Sequence, residues 1–299
     1  MRILVTGASG QVGGALIARL RPPDTVLAAD RATFDLSRPD AVAAVLDRLA
    51  PDVIVNAAAC TAVDQAEAEP ALAAAVNARS PAVMARWAAR RAVPLVQLST
   101  DFVFSGAGVR PWREDDVPQP LCVYGATKLA GEQEVQAAGG AFLVVRTRGV
   151  YAARGRNFVR SVASLACERK ELRVVADQVG APTSAALLAE AIAGILAGGV
   201  EEVRRRCAQA QGLVHFAASG AASRHAIACT IVEGLKARGC ALAVEEILPI
   251  TSAELPRPAK RPLNSCFDLT RWQTVFGQSP PSWQAVLEGV LDEIAKEIK

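Results

Sequence analysis

The sequence predicts a doubly wound α/β fold, a parallel sheet with helices on both faces. Short β-branched runs alternate with alanine-rich helical stretches through the first half of the chain. Those runs are apolar on both faces, as strands are when helices cover both sides of a sheet. A glycine-rich turn joins the first run to the first helical stretch.

The strand candidates are residues 3–6, 25–29, 53–56, 93–98 and 142–146, with helical patterns at 11–20, 39–49, 70–91 and 124–138. Strands separated by helices are joined by crossovers and so lie parallel. The rhythm changes after about residue 150. Helices are expected at 157–169, 184–197 and 222–238, and short strands at 172–175 and 213–217. Pro249, Pro256, Pro258 and Pro262 mark an irregular segment before closing helices at 270–276 and 282–298. The expected division is residues 1–149 as the sheet domain and 150–299 as a smaller, mainly substrate-binding region. Some elements of the second half, the 184–197 helix among them, are free to return to the first.

Composition narrows the function. A chain of 299 residues, 51% apolar and 21% charged, can bury a large core. A net charge of +3 is too small for a dedicated nucleic-acid-binding face. The seven cysteines are scattered singly with no CxxC pair, which leaves no zinc cluster and points to reduced thiols in the cytoplasm. The chain enters Arg2-Ile3-Leu4-Val5 at once, so no signal peptide is expected. The apolar stretch at 185–200 is broken by Glu190 and reads as a buried helix, with no membrane span. The two histidines, His215 and His225, read as structural or surface residues. No metal site is expected.

The glycine turn reads Gly7-Ala8-Ser9-Gly10-Gln11-Val12-Gly13. Glycine lets the backbone turn sharply and approach a pyrophosphate, and the helix N-terminus offers free N–H groups to that anion. At the first strand–helix junction this is the dinucleotide turn of a Rossmann-like fold. Asp30 ends the second strand, where an acid accepts from adenosine ribose hydroxyls and favours NADH. Arg31 follows, a partner for the 2′-phosphate of NADPH. Either cofactor is open.

The second motif is Tyr124-Gly125-Ala126-Thr127-Lys128. Positions i and i+4 share one helix face, so phenol and ammonium can act together. A phenol with a pKa of about 10 exchanges protons poorly at neutral pH, and a nearby cation is expected to lower it. The third element, Ser99-Thr100-Asp101, ends the fourth main strand. Ligands of open α/β sheets sit beyond the carboxyl strand ends, where a hydroxyl can bind a substrate carbonyl. By itself, Ser-Thr-Asp is equally a turn or cap signal.

Together these motifs resemble the extended short-chain dehydrogenase/reductase superfamily. The resemblance narrows to the dTDP-4-dehydrorhamnose reductase family. It is carried by Asn56-Ala57-Ala58-Ala59-Cys60-Thr61-Ala62-Val63-Asp64, Ser99-Thr100-Asp101-Phe102-Val103-Phe104 and Val123-Tyr124-Gly125-Ala126-Thr127-Lys128. Asn157-Phe158-Val159, Asp177-Gln178-Val179-Gly180-Ala181-Pro182-Thr183 and Arg261-Pro262-Leu263-Asn264-Ser265 continue it. The resemblance implies reduction of dTDP-4-dehydro-L-rhamnose to dTDP-L-rhamnose by NADPH or NADH. By position it makes Thr100, Tyr124 and Lys128 the catalytic set. Gly10, Gln11, Val12, Asp30, Asp35, Leu36, Ala59, Cys60, Thr61, Tyr124 and Lys128 would contact the cofactor. Thr100, Asp101, Tyr124, Asn157 and Arg261 would stand on the substrate side. Phe102 replaces the glutamate typical of related dehydratases, which favours plain reduction.

Some positions depart from the family pattern. Where Thr-Ser-Trp-Val-Tyr-Gly is common, the chain reads Thr147-Arg148-Gly149-Val150-Tyr151-Ala152. The tryptophan normally touches the substrate, so Gly149 implies a more open sugar site. It keeps two alternatives in view, a reductase of another 4-keto sugar nucleotide and a non-catalytic regulatory subunit that binds the same ligands. Cys60 stands where Tyr or His is common, and Gln65 replaces a usual Lys. Ala15 replaces a glutamate that in some members serves a magnesium-bridged dimer. A monomer or homodimer is expected. Arg154 and Arg156 on one side, and Arg257, Lys260 and Arg261 on the other, are expected to flank a basic cleft for the diphosphate.

Overall fold

A computed structural model describes residues 1–298. Strands β1 (Arg2–Thr6), β2 (Thr25–Ala29), β3 (Val53–Asn56), β4 (Leu95–Thr100) and β5 (Phe142–Thr147) form a parallel sheet, and Leu213–His215 adds a sixth strand. The order across the sheet is Leu213–His215, β5, β4, β3, β1, β2. The chain leaves β1 to one side for β2 and to the other for β3. That reversal opens a crevice beyond the carboxyl ends of β1 and β3, where ligands of such sheets bind.

Several boundaries differ from those the sequence suggests. Strand β4 starts at Leu95 rather than residue 93, because the Val93 N–H closes the preceding helix on Ala88 O and Pro94 has no N–H. It runs on to Thr100, in register with Thr147 of β5, so Asp101 is the first residue past the strand end. The stretch expected as one helix over 70–91 is three pieces: Pro70–Ala74, a π turn at Ala75–Arg79, and Ser80–Arg90. Pro81 cannot donate to an i−4 carbonyl, and the bulge turns Asn77 toward the site.

Three elements of five or more residues are new. Val63–Ala68 is a short helix, and Val200–Gln209 is a helix of which only Val203 and Cys207 are buried, too sparse an apolar stripe to read. Glu246–Ile250 is a strand despite Pro249 and pairs in parallel with Glu171–Val175. A two-stranded ribbon has only edges, and an edge strand tolerates proline.

The helix Ala185–Leu196 packs on the first helix, Gln11–Arg19. Its Leu188, Ile192 and Ile195 share a core with Ile3, Val5 and Leu16. Each such aliphatic side chain contributes about 1.5–3 kcal/mol by burial. A second core forms where the helices Phe158–Glu168, Arg224–Ala237 and Trp283–Ile298 meet, with Val159, Ile231, Leu235, Leu287 and Ile294 at its centre. Among the described residues no helix is long and apolar enough to cross a membrane.

Candidate active site

The glycine turn is shaped by contacts that exclude side chains. Gly7 has φ +67°, and its carbonyl accepts from Gly10 N at 2.8 Å. A Cβ on Gly13 would stand 2.2 Å from that same carbonyl. Gly10 caps the first helix with no side-chain hydrogen bond, so the first N–H groups of the helix stay open to an anion. This bare, tight turn fits a dinucleotide pyrophosphate.

The turn is one wall of a cleft of 790 Å³. Gly7, Gly10, Gln11, Val12, Asp30, Arg31, Asp35, Leu36, Ala59, Cys60 and Thr61 line it, together with Thr100, Asp101, Tyr124 and Lys128. Gly13 lies beneath the turn. Asp30 accepts from the N–H groups of Ala32 and Thr33 and from the Thr33 hydroxyl, all on Oδ1. Those bonds, the Thr33 N–H foremost, hold its carboxyl below the usual range. Asp35 is held down likewise by Ser37. Both acids are ionised caps of their own turns, and Arg31 beside them is exposed.

A buried polar chain ties the strands beneath the cleft. Thr6 Oγ1 donates to Asn56 Oδ1 at 2.6 Å, Asn56 Nδ2 to Gln97 Oε1 at 2.8 Å, and Gln97 Nε2 to Leu98 O at 2.9 Å. Leu98 O also accepts from Lys128 Nζ at 2.6 Å. From the π turn, Asn77 Oδ1 accepts from Cys60 N at 2.8 Å, and its Nδ2 donates to Thr127 Oγ1 at 3.1 Å. The loop after β3 is thereby tied to the helix that carries Tyr124. Thr6, Asn77 and Gln97 escape the sequence reading, and Asn56 enters it only within the family motif, because single polar residues inside apolar runs show their partners only across strands.

Tyr124 sits in the first turn of the helix Val123–Ala138. Its ring meets Phe102 edge-on, centroids 5.4 Å apart. Gly125 permits this approach, since a Cβ there would lie 2.1 Å from Phe102 O. Thr100 Oγ1 donates to Asp101 Oδ1 at 3.0 Å and accepts from Phe102 N at 3.2 Å. Burial pushes the Tyr124 phenol above its ordinary pKa; the Thr100 hydroxyl pulls it down and the Asp101 charge adds to the rise. The expected lowering by Lys128 does not appear. The ammonium is drawn to the Leu98 carbonyl instead, and burial brings its own pKa down to about 8, with Glu132 opposing.

Two residues expected at the substrate are engaged elsewhere. Asn157 caps the Phe158–Glu168 helix by accepting from Arg160 N at 3.0 Å, and its Nδ2 donates to Gln11 Oε1 at 3.0 Å. Arg261 makes a two-pronged pair with Asp64, both N···O distances 2.7 Å, which holds the Asp64 carboxyl at about 2. The two basic segments do not flank one cleft. Arg156 lines the dinucleotide cleft, whereas Arg257, Lys260 and Arg261 line an adjoining hollow of 930 Å³ with Phe158, Arg173 and Gln178. Arg154 lines neither. Gly155 and Asn157 lie against Gln11 of the glycine turn, which brings Arg156 to that cleft, whereas the late proline-rich segment is held by Ala259 packing with Cys122 and Tyr124 and by Arg261 on Asp64.

His215 is buried, its pKa driven to about 3 by burial and by the Arg146 charge. It faces Trp112 O at 3.0 Å. His225 faces Ile247 O at 3.0 Å. Among the described residues no three His, Cys, Asp or Glu side chains gather as a metal cluster.

The family model described as RmlD substrate binding domain matches residues 1–296. The dTDP-4-dehydrorhamnose reductase of Burkholderia thailandensis is 43% identical over 286 residues, 95% of this chain and 96% of that protein. The dTDP-4-dehydrorhamnose reductase of Escherichia coli strain K12 is 39% identical over 298 residues, 98% of each chain. Among solved structures, a dTDP-4-dehydrorhamnose reductase from Clostridium acetobutylicum superposes with TM-score 0.88 at 34% identity, covering 98% of this chain and 99% of that one. The Bacillus anthracis dTDP-4-dehydrorhamnose reductase in complex with NADP gives TM-score 0.86 at 31% identity, with 99% of each chain covered.

Proposed function

The chain belongs to the dTDP-4-dehydrorhamnose reductase family, and on that footing we propose how its residues divide the work. The enzyme is an NAD(P)H-dependent oxidoreductase that reduces the 4-keto group of dTDP-4-dehydro-L-rhamnose to the hydroxyl of dTDP-L-rhamnose. When bound, the nicotinamide supplies the hydride. Tyr124 gives its phenolic proton to the carbonyl oxygen as that oxygen gains charge. A phenol held protonated by burial suits this direction, since the group must be an acid at the start. Thr100 hydrogen-bonds the same oxygen and orients it. Lys128, anchored on Leu98 O, ties the helix that carries Tyr124 to β4 and so fixes where the phenol stands.

One observation carries this reading. The bare glycine turn and the Thr100–Asp101–Tyr124 group line one cleft at the carboxyl ends of the strands. Residues 1–149 hold the dinucleotide, and the Ala185–Leu196 helix and the Leu213–His215 strand complete that body. The adjoining hollow, with Arg257 and Lys260 on its wall, takes the nucleoside diphosphate. The seven cysteines are all unpaired, which supports a reducing, cytoplasmic setting. The enzyme acts as a monomer or homodimer, which light scattering would tell apart.

The deciding experiment mixes purified protein with NADPH and dTDP-4-dehydro-L-rhamnose and follows loss of NADPH absorbance and formation of dTDP-L-rhamnose. Turnover supports the reading. Tight binding of both ligands without turnover would make the chain a regulatory subunit instead.

A further inference from the structure

Two guanidinium groups in the cleft are short of partners. Arg148, just past β5, is 8% exposed, and its Nε and Nη1 make no hydrogen bond. Its counter-charge is Asp101, but Nε stands 3.8 Å from Oδ2, beyond hydrogen-bond reach. Arg224 Nε is also buried without a partner, while the guanidinium lies over the Phe158 ring at 5.0 Å. Buried charged donors without acceptors are costly, and natural proteins keep few of them. These two line the same cleft as Thr100, Asp101 and Tyr124.

The fold makes a place for the pair. A Cβ on Gly180 would stand 1.5 Å from Arg148 Nη1 and 2.2 Å from its Cζ, so this glycine leaves the notch the guanidinium fills. The Val179–Gly180 strand pairs antiparallel with Ala222–Ser223, and Arg224 follows at once as the first residue of its helix. One strand pairing therefore sets both cations at the same end of the cleft. Arg224 lines the adjoining hollow as well, at the junction between the sugar end and the nucleoside end. Asp101 is a single negative charge against two positive ones. Burial and the Arg148 charge bring Arg224 down to about 10, which marks the strain of placing them together.

We propose that Arg148 and Arg224 form an anion-binding subsite at the sugar end of the cleft, taking a phosphate or carboxylate oxygen of the sugar nucleotide. The subsite rests on reading this cleft as the sugar-nucleotide site. A phosphate would come from the diphosphate bridge, a carboxylate from an acidic sugar. Arg148 and Arg224 both line the cleft, and a guanidinium fork matches either oxyanion.

Calorimetric titration of the whole protein, loaded with NADP, with dTDP, dTDP-glucose and dTDP-glucuronate tests this. The variants are Arg148→Ser, Arg224→Gln and Gly180→Ala, the last displacing the guanidinium while keeping Arg148. Retained NADP binding reports that each variant is folded. The expected result is a loss of about tenfold or more in affinity in each variant. Equal loss for all three ligands identifies a phosphate as the bound anion. Loss confined to dTDP-glucuronate identifies a sugar carboxylate. Affinities within about twofold of wild type for all three ligands, in every folded variant, overturn the subsite. If wild type binds none of the three, the sugar-nucleotide reading of the cleft fails and the subsite with it. Should Arg148→Ser not fold, the other two variants decide.

Discussion

Replacing Gly125 by alanine puts a methyl group into the contact that positions Tyr124. The new Cβ would lie 2.1 Å from Phe102 O and 3.0 Å from its carbonyl carbon, both backbone atoms that cannot swing aside. Relief requires the helix start and the Asp101–Val103 turn to separate by about 1 Å, given ordinary contacts in a close-packed interior. Overpacking of this kind costs about 1–3 kcal/mol, and the better helix propensity of alanine returns about 1 kcal/mol. The thermal midpoint should therefore fall by only a few degrees, on the order of 2–6 °C. Catalysis should suffer more, because Tyr124 and Thr100 are carried by the two pieces pushed apart. A displacement of about 1 Å is worth on the order of a hundredfold in rate. The assay is steady-state NADPH oxidation beside calorimetric NADPH binding and a thermal scan. Turnover should drop about a hundredfold while NADPH affinity stays within a few-fold, because the glycine turn is untouched. Turnover within about threefold of wild type would refute the claim that this contact sets the catalytic geometry.

Tyr124→Phe keeps the ring on Phe102 but removes the proton, and turnover should fall by about 10²–10⁴ with little change in NADPH affinity; a normal rate would remove Tyr124 from acid catalysis. Lys128 has a folded pKa of about 8 against an ordinary 10.5, a depressed cation. Its charge therefore opposes folding below about pH 8, and that penalty fades as pH rises toward about 10.5. Lys128→Met should accordingly gain stability relative to wild type by about 2–3 kcal/mol less at about pH 10 than at about pH 7, read by urea unfolding; a pH-independent difference would show that the lysine is not held in a desolvated state. Arg31 is exposed on the cleft wall, and Arg31→Ala should weaken NADPH about tenfold and NADH hardly at all; equal losses would show that Arg31 does not read the 2′-phosphate.

Much of this protein is written locally. The strand–helix alternation and the apolar strands specify a parallel sheet, because no other packing covers both faces. The glycine turn and Tyr124-Gly125-Ala126-Thr127-Lys128 are legible because their chemistry depends on neighbours within one turn of chain. The same locality explains where that reading fell short. The break at Ala75–Arg79 could be suspected from Pro81, yet its use, turning Asn77 onto Cys60 and Thr127, depends on partners from two other elements. The sparse helix Val200–Gln209 is held by two buried residues and a row of ion pairs, too weak a pattern to stand above its charged surroundings.

Charge shows the division most clearly. Arg148, Arg224 and Arg261 are alike as letters. Arg261 is neutralised by Asp64, some two hundred positions away in the chain. Arg148 stands buried and Arg224 half-buried, each with donors unmet, because Gly180 and a two-residue strand pairing bring them together. Whether a cation is a free ligand, half of an ion pair or an unmet donor depends on desolvation and on partners within a few ångströms. Those are properties of the folded interior. The Tyr124 phenol follows the same rule: the sequence placed a lysine one helical turn away, and the tertiary structure turned that lysine to Leu98 O and left burial to set the proton.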